Sequence, residues 1–430
     1  MKYPKKILMI TSAFPPEADV GGIRPAMFSK YLPGFGWHPL IFSRSRPVDD
    51  PEFIPAKNID GLPDESKVFR IPYGKREEDI AIKHRTFGKR LKHIFVPEEA
   101  NPPGLFDRML SESYNLLKKN SFDIIWATSP SLYTLKIAAV ISKISKIPWV
   151  ADLRDIDEQQ FFRWDGIRIW ALRRRMIMRR NYIIKSTSLI ITVSRHHAKI
   201  LSKNIKRKVH IIRNGFDPEM FFNKTNDVHN FPKFSITYMG FILKDPRGRD
   251  PRPLFEALDN LINENEIIES NINVNFYGIP DQAPVKEILE PYRCRNIVKL
   301  FPLIPYNEVP SILMNSCILL TLTDHGRKGI LTTKTFEYLG ARRPILFIPG
   351  DNGELDDILN KANAGISCST VESIVKILRK WYNEWCKTGR VAYHGYEEEI
   401  MKYSRKEQTG QLAKLLNDVI LQKHIISQQK

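Results

Sequence analysis

Short apolar runs, each the length of a buried strand, alternate along the chain with longer segments of helical periodicity. In the first half KILMITSAF (6–14), HPLIFSRS (38–45), FDIIWAT (122–128), IPWVADLRD (147–155), SLIITVS (188–194) and VHIIRNGFD (209–217) read as strands or strand–loop units. A helix runs toward Leu32 with Pro25 in its first turn, and further helices follow at 132–146 and 196–204. The stretch 46–63 is loop-rich. The second half repeats the pattern, with strands at 234–240, 272–278, 297–303, 317–323 and 343–350 and helices at 251–265, 309–315, 333–341 and 353–362. Helices at 369–385 and 404–422 close the chain. Apolar strands alternating with helices predict an α/β protein whose mainly parallel sheets are covered on both faces. The strand count favours two such domains over one large sheet. A polar segment with a proline, NKTNDVHNFPK (223–233), marks their boundary, and two successive domains make a cleft suited to a two-substrate reaction.

The length, 430 residues, fits two domains of roughly 200 residues each. The hydrophobic fraction of 42% and charged fraction of 27% exclude wholesale disorder. Four cysteines without a CxxC pair support neither a disulfide scaffold nor a structural zinc site, and suit a reducing cytoplasm. No run of 18 apolar residues occurs, which argues against a transmembrane span. The basic then apolar start is better explained by a first buried strand than by a secretory signal.

The net charge of +18 is confined to one half. Residues 1–215 carry 39 Lys and Arg against 21 Asp and Glu, whereas residues 216–430 carry 27 of each. Two runs dominate, KHRTFGKRLKH (83–93) and RWDGIRIWALRRRMIMRRNYIIK (163–185). The second interleaves arginine with Trp164, Trp170, Met176, Ile177 and Met178, a basic amphipathic surface of the kind that lies on anionic lipid. Nucleic acid and a plain solvated face are the rival readings; no zinc finger or RNP motif accompanies the runs, and no nucleic acid is expected as partner.

Four constellations carry candidate chemistry. PPEADVGGIRP (15–25) follows the first strand; Gly21 and Gly22 permit a sharp turn, the helix start offers unpaired N–H groups, and Arg24 adds charge. It is neither a GxGxxG fingerprint nor a P-loop. ADLRD (151–155) places Asp152, Arg154 and Asp155 at a strand's carboxyl rim, to position an acceptor group or merely to pair with one another. FILKDPRGRD (241–250) puts Lys244, Arg247 and Arg249 on a rim loop suited to a diphosphate. HGRKGILTTKTFEYLGARRPILFIPG (325–350) leads through Gly326 and Gly329 to a helix starting near Thr333, with Lys334 in its first turn. Glu337, three residues on, shares a face with Lys334 and either pairs with it or bonds ribose hydroxyls. Metal chemistry is weakly signalled: no HExxH occurs, adjacent His196 and His197 are poor co-ligands, and no metal is expected. No GxSxG elbow is present.

FPPEADVGGIRPAMFSKYLPGFGWHPLIFS, VADLRD, LIITVS…VHIIRNGFDPEMF and TTKTFEYLGARRPIL together resemble the GT-B glycosyltransferases of family 4, retaining enzymes that use nucleotide sugars, over nearly the full chain. The resemblance implies two Rossmann-like doubly wound domains facing across a cleft. It sets them at 1–221, completed by 404–430, and 222–403, with the final helix returning to the first. It implies that Gly21 and Gly22 lie near the donor phosphates, that Arg249 (or Arg247) is the phosphate arginine with Lys244 beside it, and that Glu337 grips the ribose. Gly329, Ile330 and Leu331 fall where the backbone meets the donor, with Thr333 opening the helix. The family commonly has a second glutamate where this chain has Gly329, and its first-domain histidine has no counterpart after 122–128.

On this reading Arg249 and Lys334 stabilise a departing nucleoside diphosphate from a UDP- or GDP-sugar. The basic first half points to an acceptor that is a glycan or a polyprenyl-diphosphate-linked sugar at the inner membrane face, as in lipopolysaccharide or capsule synthesis. A nucleotide-sugar 2-epimerase and a non-catalytic sugar-nucleotide- or nucleic-acid-binding protein are the alternatives.

Overall fold

The computed structural model describes residues 4–17, 19–46, 59–73, 104–159, 167–222, 231–242, 248–323 and 328–428. The run 83–93 and the candidates Lys244 and Arg247 lie outside them. The chain divides into two compact units, Met1–Arg213 with Gln408–Lys430, and Asn214–Glu407.

The first unit is built on β1 (Lys5–Thr11), β2 (Trp37–Ser45), β3 (Val68–Pro72), β4 (Ile124–Thr128), β5 (Trp149–Leu153), β6 (Leu189–Thr192) and β7 (His210–Ile211). They form one sheet in the order β3-β2-β1-β4-β5-β6-β7. Every pairing is parallel, as in the register Ile7↔Pro39 and Ile7↔Ile124. The helices are α1 (Val20–Tyr31), α2 (Leu105–Lys119), α3 (Leu132–Ser145), α4 (Ile167–Ile184) and α5 (Arg195–Ile205). Strands β4, β5 and β6 are buried at every position, because helices cover both faces. The edge strands β3 and β7 are half-exposed, which is why β3 lacks an apolar run strong enough to predict it.

The second unit carries α6 (Pro218–Phe222), β8 (Phe234–Met239), α7 (Arg252–Asn263), β9 (Ile272–Tyr277), α8 (Ala283–Leu289), β10 (Val298–Phe301), α9 (Val309–Met314) and β11 (Ile318–Leu322). It continues through α10 (Thr333–Ala341), β12 (Ile345–Ile348), α11 (Glu354–Ala362), β13 (Gly365–Ser367), α12 (Val371–Thr388) and α13 (Glu397–Met401). Its sheet, also parallel throughout, has the order β10-β9-β8-β11-β12-β13. Both units are thus doubly wound and Rossmann-like.

The last helix, α14 (Arg405–Gln428), begins in the second unit and enters the first at Gln408. There Leu412, Ala413, Leu416 and Val419 share a core with Ile7, Phe28, Trp37 and Trp126, as expected for a returning helix. The two crossings lie side by side: Phe216 pairs with Ser404, and Arg405 N donates to Phe216 O at 2.8 Å.

Helix α1 starts at Val20, five residues before Pro25, because Asp19 caps it by accepting from Gly21 N. Pro25 therefore lies inside the helix and has no N–H for the Gly21 carbonyl four residues back. Arg154 Nη1 supplies that donor instead, at 2.7 Å.

Helix α4 carries residues 167–184 of the second basic run, and Trp164 lies outside the described residues. Trp170, Met178 and Tyr182 are 59%, 56% and 77% exposed, and the Arg174 guanidinium lies 5.2 Å from the Trp170 ring centroid. Arg180 does not belong to that surface: it is buried and donates to both carboxylate oxygens of Glu158, with Asp157 3.3 Å away. No helix among the described residues is long and apolar enough to cross a membrane.

Candidate functional site

In the second unit β8 and β11 are neighbours, and the strand order reverses between them. The loops after such strands diverge and leave a crevice at their carboxyl ends. Helix α10 opens beside it. Thr332 holds the N-cap position with extended backbone and makes no capping hydrogen bond, so its side chain satisfies none of the first N–H groups of α10. The helix is fixed in place: the Tyr338 hydroxyl accepts from Met239 N at 2.8 Å, and Asn214 Nδ2 donates to Leu331 O at 3.1 Å. Gly340 lets the helix settle on the NGFDPEMF segment, where an added Cβ would meet the Phe221 and Phe216 rings at 2.9–3.0 Å.

Lys334, in the first turn of α10, reaches across to β8. Its Nζ is 3.5 Å from the Tyr238 hydroxyl and 4.9 Å from that ring's centroid. The route exists because residue 240 is glycine: its φ is +133°, and a Cβ there would stand 1.7 Å from Lys334 Nζ. Gly240→Ala therefore displaces the ammonium and strains the backbone. It is expected to lower turnover by up to about 10²-fold through misplacement alone. Steady-state kinetics alongside a melting curve separate this from unfolding; unchanged kcat contradicts the placement.

Glu337 is 7% exposed. The Tyr306 hydroxyl bonds its carboxylate, and Arg405 and Lys334 act on it electrostatically. Burial pushes its pKa up, against the pull of those groups. Arg249 is half-buried, with Nη1 3.5 Å from Phe241 O, and lines a pocket with Ile330, Thr332 and Thr335. Gly329 takes a left-handed φ of +76° at the turn into that loop, Leu331 is buried and Thr333 is the first helical residue. The structure thus brings Arg249, Ile330 and Lys334 to the opening of α10, and places Glu337 one turn deeper.

The first-unit candidates are used differently. Arg24 and Asp152, 1% and 0% exposed, face each other through Nε–Oδ2 at 2.7 Å and Nη2–Oδ1 at 3.2 Å. Arg24 also donates to the Arg213 and Ile212 carbonyls, so the pair clamps α1 to β5 and to the strand-end segment after β7. Arg154 donates to the Ser129 and Gly21 carbonyls. Burial lowers its pKa while Asp152 and Asp155 counteract. Gly22 is buried, Gly21 N is taken by Asp19 Oδ1 at 2.6 Å, and Asp155 is exposed.

His197 is held neutral by burial, its pKa pulled down to about 4, with Nε2 2.8 Å from Gln159 Oε1. Among the described residues no group of three or more His, Cys, Asp or Glu is placed to hold a metal ion. Sequence reasoning passed over Tyr238, Gly240, Thr321, Thr335 and Asp351. The glycine closing the strand FSITYMG was the visible signal for the first two; threonines inside apolar runs carry none.

Residues 28–220 match the model of Glycosyltransferase Family 4. No curated protein matches the chain by sequence. Among solved structures, Anabaena HepE in complex with UDP and glucose is 14% identical, with a TM-score of 0.62 over 96% of this chain and 100% of that one. A glycosyltransferase from Rickettsia africae is 13% identical, with a TM-score of 0.59 over 97% and 98%. Sucrose-phosphate synthase from Thermosynechococcus elongatus is 13% identical, with a TM-score of 0.53 over 99% and 98%. The two doubly wound units and the helix that returns to the first give the chain the GT-B fold of these structures, and its residues 28–220 are similar to Glycosyltransferase Family 4.

Proposed function

We propose that the chain transfers a sugar, with retention of anomeric configuration, from a UDP- or GDP-sugar to a glycan or polyprenyl-diphosphate-linked acceptor. The observation that carries this is the opening of α10: its N-cap residue Thr332 makes no capping bond, it stands at the carboxyl rim of the parallel sheet, and Lys334 and Arg249 flank it. A helix start of that kind favours an anion through its N–H groups and dipole. Breaking the bond from sugar to diphosphate moves negative charge onto phosphate, and cations held in position beforehand stabilise that charge as it develops. Lys334 and Arg249 take this role, with Lys244 and Arg247 proposed to assist from the same loop. Glu337 is proposed to meet the ribose, its carboxylate oriented by Tyr306. UDP is favoured over GDP because Anabaena HepE is seen with UDP and with UDP-glucose.

A thermal-shift and turnover screen across UDP- and GDP-sugars, with soluble and lipid-linked acceptors, tests the reading. Stabilisation by a nucleotide sugar and acceptor-dependent release of the diphosphate are expected; epimerised donor without an acceptor would replace transfer by epimerisation. The exposed Trp170, Met178 and Tyr182 of α4, with Arg174 and Arg179 beside them, support contact with an anionic bilayer. Flotation with phosphatidylglycerol vesicles should fall when Arg174 and Arg179 become glutamine; unaltered flotation removes α4 from the contact.

A further inference from the structure

Glu337 sits where three other segments of the second unit meet α10. Phe336, beside it, packs on Tyr403 with ring centroids 5.6 Å apart. The 403–405 stretch is joined to the 214–221 stretch, since Phe216 N donates to Tyr403 O at 3.2 Å and Arg405 N to Phe216 O at 2.8 Å. The turn Tyr306–Glu308 is the third, with Tyr306 packed on the same core as Phe216 and Phe336. Each segment brings a polar side chain inward. Tyr306 donates its hydroxyl to the Glu337 carboxylate. Arg405, the first residue of α14, is 1% exposed, and its charge acts on both Glu337 and Tyr306. Asp217, also buried, acts on Tyr306. From α10 itself Lys334 and Tyr338 face the carboxylate.

A carboxylate this deep tends to keep its proton, because burial disfavours the charged form. Burial raises the pKa of Glu337, and Arg405 is the largest force against it, ahead of the Tyr306 bond and of Lys334. Burial and the Glu337 carboxylate hold Tyr306 neutral, so it remains a donor. The charge of Glu337 decides what it can hold. Ionised, it is acceptor-only and has room beyond the Tyr306 bond for two hydroxyl donors, in charge-assisted bonds. Protonated, it gives up part of that capacity and its bonds weaken. A guanidinium suits the task because it stays charged when buried, where a lysine shifts its pKa readily.

We propose that Arg405 is a positioning residue of the nucleotide site, supplying the countercharge that lets the Glu337 carboxylate accept from the ribose hydroxyls. The inference rests on the reading of Glu337 as the ribose contact. It adds to that reading a residue some 70 positions further along the chain, at the head of the last helix.

Calorimetric titration compares UDP with 2′-deoxy-UDP and 3′-deoxy-UDP between about pH 6 and about pH 9. Near neutral pH the wild type should prefer UDP over at least one deoxy form about tenfold or more, the equivalent of a hydrogen bond to a charged group. In Arg405→Met that preference should fall to about twofold or less near neutral pH and return as the pH rises. The sign follows from the carboxyl group, which without the guanidinium keeps its proton to higher pH. Arg405→Lys retains a cation and should retain most of the preference, and Glu337→Gln should lose it at every pH. Arg405→Met with Glu337→Gln removes both charges, so it remains available if the single variant does not fold. It should bind UDP within about twofold of Glu337→Gln alone, because a residue that acts through Glu337 has nothing left to act on. Equal weakening of UDP and the deoxy forms in Arg405→Met, or a further loss in the double variant, overturns the proposal in favour of packing alone. A preference that persists across the pH range in Arg405→Met overturns it outright. Wild-type protein that does not discriminate UDP from either deoxy form, or Glu337→Gln that discriminates as the wild type does, overturns the ribose reading, and this proposal with it.

Discussion

Lys334→Met lowers turnover of the nucleotide sugar by about 10²–10³-fold, the usual cost of deleting one preorganised group that stabilises developing charge. The side chain can be replaced by one of similar length and apolar character, so the loss falls on kcat more than on folding. Lys334→Arg is not expected to rescue. A planar guanidinium is wider than an ammonium, and the approach over Tyr238 is set by the missing Cβ of Gly240. Steady-state kinetics across donor concentrations decide the matter. A kcat within threefold of wild type in the methionine variant would mean that the ammonium over Tyr238 takes no part in the departure of the diphosphate.

Arg24→Ala has the largest expected effect on stability, a loss of about 3–5 kcal/mol, because it strands a charge that is out of water. Asp152 is fully buried and loses two donors, while the Ile212 and Arg213 carbonyls lose one each. Urea unfolding of the first unit measures the loss as a lower midpoint at unchanged slope. The double variant Arg24→Met with Asp152→Leu should recover much of it, since no unpaired charge then remains. A single-variant loss below about 1 kcal/mol would show that the pair contributes no more than an exposed bridge.

Much of this architecture is legible in the amino-acid sequence. Fully buried central strands such as IIWAT and ILLTL leave apolar runs that no solvent-facing alternation interrupts, and both sheets follow from them. The opening of α10 could be located because threonine, a lysine in the first turn and a buried FEYL face coincide. Other features are set by partners distant in sequence. Arg24 and Asp152 stand 128 residues apart, and local pattern gave both the look of rim charges. Arg180 reads as one more cation on a basic face until Glu158 is seen beneath it. The start of α1 was obscured because Pro25 imitates a first-turn residue, while Arg154 does the compensating work from another strand. Thr321 and Thr335 sit at interior positions of apolar segments, and nothing in that local pattern marks their hydroxyls as lacking partners among the described residues.

The account turns on a nucleoside diphosphate seated at the start of α10, and amide hydrogen exchange with and without UDP examines that contact directly. Saturating UDP should slow exchange in the peptide covering 328–341, concentrated at Thr333, Lys334 and Thr335, whose N–H groups no cap side chain occupies. UDP that binds while these amides exchange as before, with protection appearing instead at the Asp19-capped start of α1, would contradict it.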